Sequence, residues 1–387
     1  MQNLSRRTKK FGGSMIRAMT HNEKLHSTIN LGQGYPDFDP PKILLEALSK
    51  TAFRGPHQYA LTHGSENFRR ALAKKQSRFM NRTISSDSEI LATCGSTEAM
   101  MVALLTLIDS GDRVIVFTPY YENYVSQARL AGAEIDFVKL KLPNLCFDAD
   151  ELESAFRKRP KAIIICNPSN PTGKVFTFEE LHTIAGLAEK YDTYVITDEV
   201  YEHILYDGLK HIYFATLPKM WERTITCGSL SKTYAITGWR LGYIIANEEF
   251  LQSAKRVHDY LTVCAPAPLQ EAVISGLEMG DEYYADLQKS YQRKKDLFLT
   301  GLRQLRLSYI EPQGAYYVLV DTSPFHAQSD LDFCMRLISQ TGVISVPSTS
   351  FQQEKTTGTA RFHFAKKEST LNDALNRLEK INKISFK

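Results

Sequence analysis

The sequence has no apolar run long enough to span a bilayer, and its first residues lack the apolar core of a signal peptide. Nor is either sign of charge in excess. Its 47 Lys and Arg stand against 43 Asp and Glu, a balance that calls for neither nucleic acid nor an anionic membrane. The six cysteines (Cys94, Cys146, Cys166, Cys227, Cys264, Cys334) show no metal-ligand spacing, and several lie in apolar runs. That excludes a metal module and reads as buried thiols in a reducing, cytoplasmic compartment. Gly32-Gln-Gly34 begins a dinucleotide fingerprint, but no third glycine or following helix completes it. There is no internal repeat and no low-complexity segment, and the basic cluster Arg6-Arg7-Thr-Lys9-Lys10 reads as a solvated tail. At 387 residues the chain suits a two-domain α/β protein with a large core.

What is present is a repeated arrangement of short β-branched runs, each ending in a polar loop. Val114-Ile-Val-Phe117 leads into Pro119-Tyr-Tyr121, and Ala162-Ile-Ile-Ile-Cys166 into Asn167-Pro-Ser-Asn170-Pro-Thr-Gly173. Tyr194-Val-Ile-Thr197 leads into Asp198-Glu-Val-Tyr201, and Thr224-Ile-Thr226 into Ser229 and Lys232. Helical patterns such as Phe178 to Tyr191 lie between the runs, so right-handed βαβ units and a mostly parallel sheet follow. In such a sheet ligands bind beyond the carboxyl ends of the strands. An aromatic ring, an amide, a carboxylate, a phenol and a lysine are therefore expected to converge on one crevice.

The run Ser229-Leu-Ser-Lys232-Thr-Tyr-Ala-Ile-Thr-Gly-Trp-Arg240 suits a phosphorylated aldehyde held on a lysine. An amine becomes nucleophilic when desolvation or nearby positive charge lowers its pKa, and serine and arginine are the donors a phosphate wants. A pyridinium-based electron sink needs its ring nitrogen kept protonated, which a buried carboxylate such as Asp198 does by charge pairing. Tyr201 and Asn170 can reach a ring oxygen, and Tyr121 offers a stacking face. Gly95-Ser96-Thr97 precedes the helical pattern Glu98 to Ile108, so its N–H groups would meet the phosphate at a helix N-terminus. Each of these residues alone also has a bland reading as a turn Asp, core Tyr, turn Asn or N-cap Ser. The five together point to one site.

With these residues in view, the chain resembles the class I/II, fold-type I pyridoxal-phosphate aminotransferases, most closely the methionine and kynurenine or glutamine aminotransferase-like branch. The resemblance runs from about residue 25 to the C-terminus. It rests on Asn30-Leu-Gly-Gln-Gly34-Tyr-Pro-Asp-Phe, Gln58-Tyr59, Gly95-Ser-Thr-Glu-Ala99, Asn167 to Gly173, Asp198-Glu-Val-Tyr-Glu-His203, Ser229 to Gly242 and Arg361-Phe-His-Phe364. It implies that pyridoxal 5'-phosphate is linked to Lys232, which then shuttles the proton at the substrate α-carbon. Asp198 would hold the pyridine nitrogen, Asn170 and Tyr201 the ring oxygen, and Tyr121 would stack. Ser96, Thr97, Ser229 and Arg240 would take the phosphate, joined by Tyr59 from the neighbouring subunit of a homodimer with shared sites. Arg361 would bind the substrate carboxylate, with Gly34 and Asn170 close by.

Three positions depart from the pattern. Tyr121 stands where many relatives have phenylalanine or tryptophan, and Val263 and Cys264 stand where some place an aromatic residue and a histidine of the partner's pocket. The resemblance implies transfer of the amino group from an L-amino acid to a 2-oxo acid. The donor expected is neutral, bulky or sulfur-containing (methionine, aromatic, glutamine or kynurenine type), since Arg361 is the one carboxylate-binding arginine that can be named. The alternatives are a cysteine-conjugate β-lyase on the same scaffold, which shares every cofactor contact, and a non-catalytic cofactor-binding regulator.

The C-terminal part reads as a smaller α+β unit. A long helix is expected from about Asp281 to Leu305, strands at Ala315–Val320, Val343–Val346 and Ala360–Phe364, and a last helix with the stripe Leu371, Leu375, Leu378, Ile381. Thr370 with Asp373 suggests a capping box. His203 and His363 show no evident carboxylate partner and read as core residues. The expected division is an N-terminal segment 1–40 packing with a small domain 281–387, and a large cofactor domain 41–280, with Pro40-Pro41 as the joint.

Overall fold

Residue 5 and residues 12–21, 27–354 and 358–381 are described by the computed structural model; the basic cluster at positions 6–10 lies outside them. Seven strands make the central sheet: β1 Ile90–Thr93, β2 Arg113–Thr118, β3 Glu134–Lys139, β4 Ala162–Cys166, β5 Tyr194–Asp198, β6 Thr224–Ser229 and β7 Gly242–Ile245. Their order is β1-β7-β6-β5-β4-β2-β3, and only β7 runs against its neighbours. The run in β4 is apolar throughout because helices cover both faces. Ile163 and Ile165 pack with Leu181 and Ile184 of the helix Phe178–Lys190. Ile164 and Cys166, on the opposite face, pack with Met100 and Leu104 of the helix Ser96–Leu107. The helix Phe178–Lys190 starts with a capping box between Thr177 and Glu180.

A second sheet holds β8 Tyr309–Ile310, β9 Tyr317–Asp321, β10 Val346–Pro347 and β11 Thr359–His363 in the antiparallel order β10-β11-β9-β8. Helices Asp281–Gln304, Asp330–Thr341 and Glu368–Leu378 bury it: Phe298, Leu337 and Leu371 share one core with Val318 and Phe362. Met19, Ile29 and Leu31 join that core, and Ile29–Asn30 pairs in parallel with Val343–Ile344. The architecture is thus a mostly parallel α/β unit with a smaller α+β unit.

Several local expectations need correction. The helix after Gly95 begins at Ser96 instead of Glu98, because Gly95, at φ 81°, already turns the chain. The run Val343–Val346 is two strands, since Val343–Ile344 pairs with the N-terminal segment and Val346–Pro347 with β11. The strand expected from Ala315 begins at Tyr317. The last helix is capped at Lys367 with no side-chain bond; Thr370 donates instead to Asp37 at 2.7 Å, and Asp373 pairs with Arg377. Cys166, Cys227 and Cys334 are buried, but Cys94 and Cys264 are only half-buried and Cys146 is exposed.

Beneath the segment that follows β5 lies a buried polar cluster. Lys75, from the helix Glu66–Met80, is 3.0 Å from Glu202 and 2.9 Å from His203, and Tyr213 donates to Glu202 at 2.6 Å. Burial alone would raise the Glu202 carboxyl, but the Lys75 ammonium and the neighbouring donors outweigh it and hold the group well below the carboxylate range. Burial also pulls the Lys75 ammonium below its ordinary pKa, with Glu202 opposing. The pair stays ionised because the carboxylate is ringed by donors. Such a pair adds little net stability, yet removing one partner strands the other and costs about 3–5 kcal/mol.

His203 gives the fold a pH dependence. Burial and the Lys75 charge lower its pKa to about 4, so the folded chain holds it neutral where an unfolded chain would protonate it near 6.5. A depressed histidine contributes stability that is fully present above pH 6.5 and is lost as pH falls toward 4. Between pH 7.5 and 5 this group alone is expected to cost about 2 kcal/mol. Urea unfolding at the two pH values, with and without His203→Gln, reads the difference. A midpoint equally acid-sensitive in the variant would remove His203 as the source.

Candidate active site

The loops beyond β1, β2, β4, β5 and β6 open on a cleft of about 990 Å³. Asp198, the last residue of β5, is 5% exposed and accepts from the Tyr124 hydroxyl at 2.6 Å. Burial pushes its carboxyl up to about 6, against the pull of Tyr124 and of Lys232. Lys232 follows β6 and donates to the Gly34 carbonyl at 3.2 Å, with the Tyr316 ring 5.8 Å from its nitrogen. Burial, then the Arg240 charge, brings its amine down to about 8, and Asp198 only partly offsets them. The pair therefore comprises an amine near neutrality and a carboxylate short of positive charge. Both conditions favour a proton-transfer site.

Ser96 and Thr97 are the first two residues of their helix, where N–H groups have no intrahelical acceptor. The Arg240 guanidinium lies where a Cβ on Gly95 would sit, so only glycine allows it this close to the helix N-terminus. Arg240 donates to the Thr237 carbonyl at 3.0 Å and has room to turn, since it is exposed. The Ser229 hydroxyl donates to the Leu241 carbonyl and accepts from the Ser231 N–H, both at 3.1 Å, while the buried Ser231 hydroxyl has no partner. Tyr121 caps the helix Glu122–Ala131 and meets Tyr124 edge-on at 5.6 Å.

Arg361 crosses from β11 into the same cleft and is 1% exposed. Its two terminal nitrogens donate to Asn170 Oδ1 and to the Gly32 carbonyl, each at 2.7 Å, and its Nε is buried with no partner. The rings of Tyr317 and Phe351 lie 4.4 and 4.6 Å from the guanidinium. Tyr201 is buried with its hydroxyl 3.0 Å from that of Tyr317. A Cβ on Gly34 would collide with the Tyr317 hydroxyl, so this approach also demands glycine.

One chain thus brings together Gly34, Ser96, Thr97, Tyr121, Asn170, Asp198, Tyr201, Ser229, Lys232, Arg240 and Arg361. Tyr59 is 81% exposed and does not line this cleft. His203 and His363 are buried and do not line it; His203 does have a carboxylate neighbour, Glu202, at 3.3 Å. Sequence reasoning missed Tyr124, Tyr317 and the residues Gly12 to Arg17 that also line the cleft. It missed as well the contacts of Glu98, which accepts from the Cys94 N–H and faces His258 Nδ1 at 2.9 Å, tying the phosphate-side loop to the helix Glu248–Thr262. Tyr124 had a local signal, since it stands in the first turn of the helix that Tyr121 caps. Among the described residues no group of three or more His, Cys, Asp or Glu could hold a metal ion, and no helix is long and apolar enough to cross a membrane.

Residues 26–378 match the family model described as aminotransferase class I and II. A kynurenine–oxoglutarate transaminase from Dictyostelium discoideum is 34% identical, over 98% of this chain and 96% of its own. A methionine aminotransferase from Escherichia coli is 33% identical over 96% of both chains. A solved Escherichia coli structure with a methionine aminotransferase function superimposes with a TM-score of 0.94 at 32% identity, covering 98% of this chain and all of that one.

Proposed function

The chain belongs to the class I and II aminotransferase family, and from that premise we propose that it uses pyridoxal 5'-phosphate to move the amino group of a neutral, bulky or sulfur-containing L-amino acid to a 2-oxo acid. The observation that carries the reading is the buried pair in one cleft, Lys232 brought down to about 8 and Asp198 pushed up to about 6. The donor set fits the cofactor's chemistry. A protonated pyridine nitrogen is the cation that Asp198 lacks. Arg240 with the first turn at Ser96 and Thr97 suits a phosphate, and Ser229 can turn its hydroxyl the same way. Tyr201 and the Asn170 amide suit the ring oxygen, and Tyr121 suits its face. Bound there, the cofactor supplies the sink for the electron pair released when the substrate α-C–H bond breaks.

The remaining work falls to this chain's side chains. Arg361 binds the substrate carboxylate and fixes which α-substituent points at Lys232, and the unpartnered Nε is a donor still available to it. Lys232, held near neutrality, takes the α-proton and returns it to the other carbon of the exchange. Gly34 anchors the Lys232 nitrogen through its carbonyl while that nitrogen is free. The N-terminal residues Gly12 to Arg17 border the cleft and help exclude water.

The proposal extends to the assembly. Residues 1–40 with 281–387 form the smaller body and 41–280 the cofactor domain. The chain works as a cytoplasmic homodimer in which Tyr59 reaches the phosphate of the partner's site. Supporting this, Tyr59 and Leu61 are exposed beside the exposed Tyr260 and Leu261, where Thr62 bonds Asp259 at 3.1 Å.

The test is the visible spectrum of the purified protein before and after L-methionine, with no oxo acid added. The expected result is a yellow band that bleaches as the amino group passes to the cofactor. A colourless protein that gains no band with pyridoxal phosphate would refute the cofactor. A band unmoved by methionine, phenylalanine, glutamine and kynurenine would refute the donor class.

A further inference from the structure

We propose that Tyr317 is a positioning residue whose hydroxyl donates to the Tyr201 oxygen and thereby directs the Tyr201 proton to the cofactor's ring oxygen. The inference rests on the reading, given above, that Tyr201 serves that oxygen. Three observations lead to it. The two phenols are 3.0 Å apart, both are buried, and their rings meet edge-on at 87°, so the contact is fixed by packing. The backbone yields to it, because the Tyr317 hydroxyl occupies the volume that any side chain at position 34 would need. Finally, the Arg361 guanidinium lies 4.4 Å from the centre of the Tyr317 ring.

That last contact decides which phenol donates. Burial raises both hydroxyls, but the Arg361 charge partly offsets it at Tyr317, whereas the main influences on Tyr201 all raise it. The more acidic phenol is the stronger donor, so Tyr317 gives its proton to Tyr201. A hydroxyl that accepts one hydrogen bond becomes a better donor of the next, so the chain Tyr317 to Tyr201 to ring oxygen strengthens along its length. Arg361 at the carboxylate end and Tyr201 at the ring end are in this way joined through one residue of β9. Substrate binding at Arg361 would then be felt at the ring oxygen.

A donor to the ring oxygen stabilises its anionic form and so lowers the pH at which the proton shared with the Lys232 linkage is lost. The experiment is a pH titration of the visible band in the cofactor-loaded parent, Tyr317→Phe and Tyr201→Phe, with no substrate and no turnover. Other charged or titratable groups facing Lys232 are Asp198, Arg240, Arg361 and His363, with Tyr316 and Tyr121 beside them; both variants keep all of these residues, though Tyr316 loses a phenol neighbour in either one and Tyr121 loses one in Tyr317→Phe. Tyr317→Phe is expected to raise the midpoint by about half a pH unit, and Tyr201→Phe by more. If Tyr201→Phe raises it and Tyr317→Phe leaves it unmoved, the coupling is wrong while the Tyr201 assignment stands. A lowered midpoint in Tyr317→Phe would mean that Tyr201 is the donor, which also overturns the proposal. If Tyr201→Phe itself has no effect, the ring-oxygen reading falls and this inference with it.

Discussion

Lys232→Ala should lose at least about three orders of magnitude in turnover, the upper half of what a positioned acid-base group supplies. It should also lose the yellow band that depends on the lysine link. The loss is electrostatic as well as covalent. Burial and Arg240 bring this amine down to about 8, so at neutral pH a usable fraction is unprotonated and can accept a proton from carbon. Lys232→Arg separates the two contributions. It keeps a cation near Asp198, yet a guanidinium does not give up its proton in the working range and makes no such link. Both variants should therefore fail alike in stopped-flow half-reactions with an amino acid, while cofactor still binds through Arg240, Ser96 and Asp198. Lys232→Ala turning over at the parent rate would sink the mechanism. An active Lys232→Arg would show that only positive charge is needed.

The sequence carried most of the sheet, and most of the residues that meet in the cleft, because the relevant signals are local. The β-branched runs of β2, β4, β5 and β6 are each followed within a few residues by a polar side chain, and parallel topology turns that order into a common edge. Contacts between distant residues were not legible. Tyr124 with Asp198, Tyr201 with Tyr317 and Glu98 with His258 are 74, 116 and 160 residues apart, and no periodicity links their members. Helix starts failed where a backbone conformation replaced a side-chain cap: Gly95 caps through a positive φ, and Lys367 caps with no side-chain bond at all. Thr370 and Asp373 had the spacing of a capping box, but Asp37, 333 residues away from Thr370, takes its hydroxyl. The run at Val343 broke in two because tertiary pairing, not β propensity, chose its partners.

Arg361→Ala should raise the half-saturating concentration of amino acid and of oxo acid together, since both present a carboxylate to the same guanidinium. Truncating one member of a buried, hydrogen-bonded charge pair costs about 2–5 kcal/mol, which is roughly 30-fold to a few thousand-fold in affinity. The geometry adds a second cost. Arg361 also donates to Asn170 Oδ1 and to the Gly32 carbonyl, so alanine leaves two buried acceptors unpaired and opens space between Tyr317 and Phe351. A drop in thermal midpoint of a few degrees should accompany the change. Arg361→Lys tests whether charge suffices: a lysine has no planar fork, so it should recover part of the stability and little of the carboxylate affinity. Lys232 is untouched and still makes its link, so the visible band should survive in both variants, the opposite of the Lys232→Ala result, with its pH midpoint moved through Asn170 and Tyr317. Steady-state kinetics over amino-acid and oxo-acid concentrations would decide it. An unchanged half-saturation in Arg361→Ala would mean that another group holds the carboxylate, and that Arg361 serves only to brace Asn170 against the N-terminal segment.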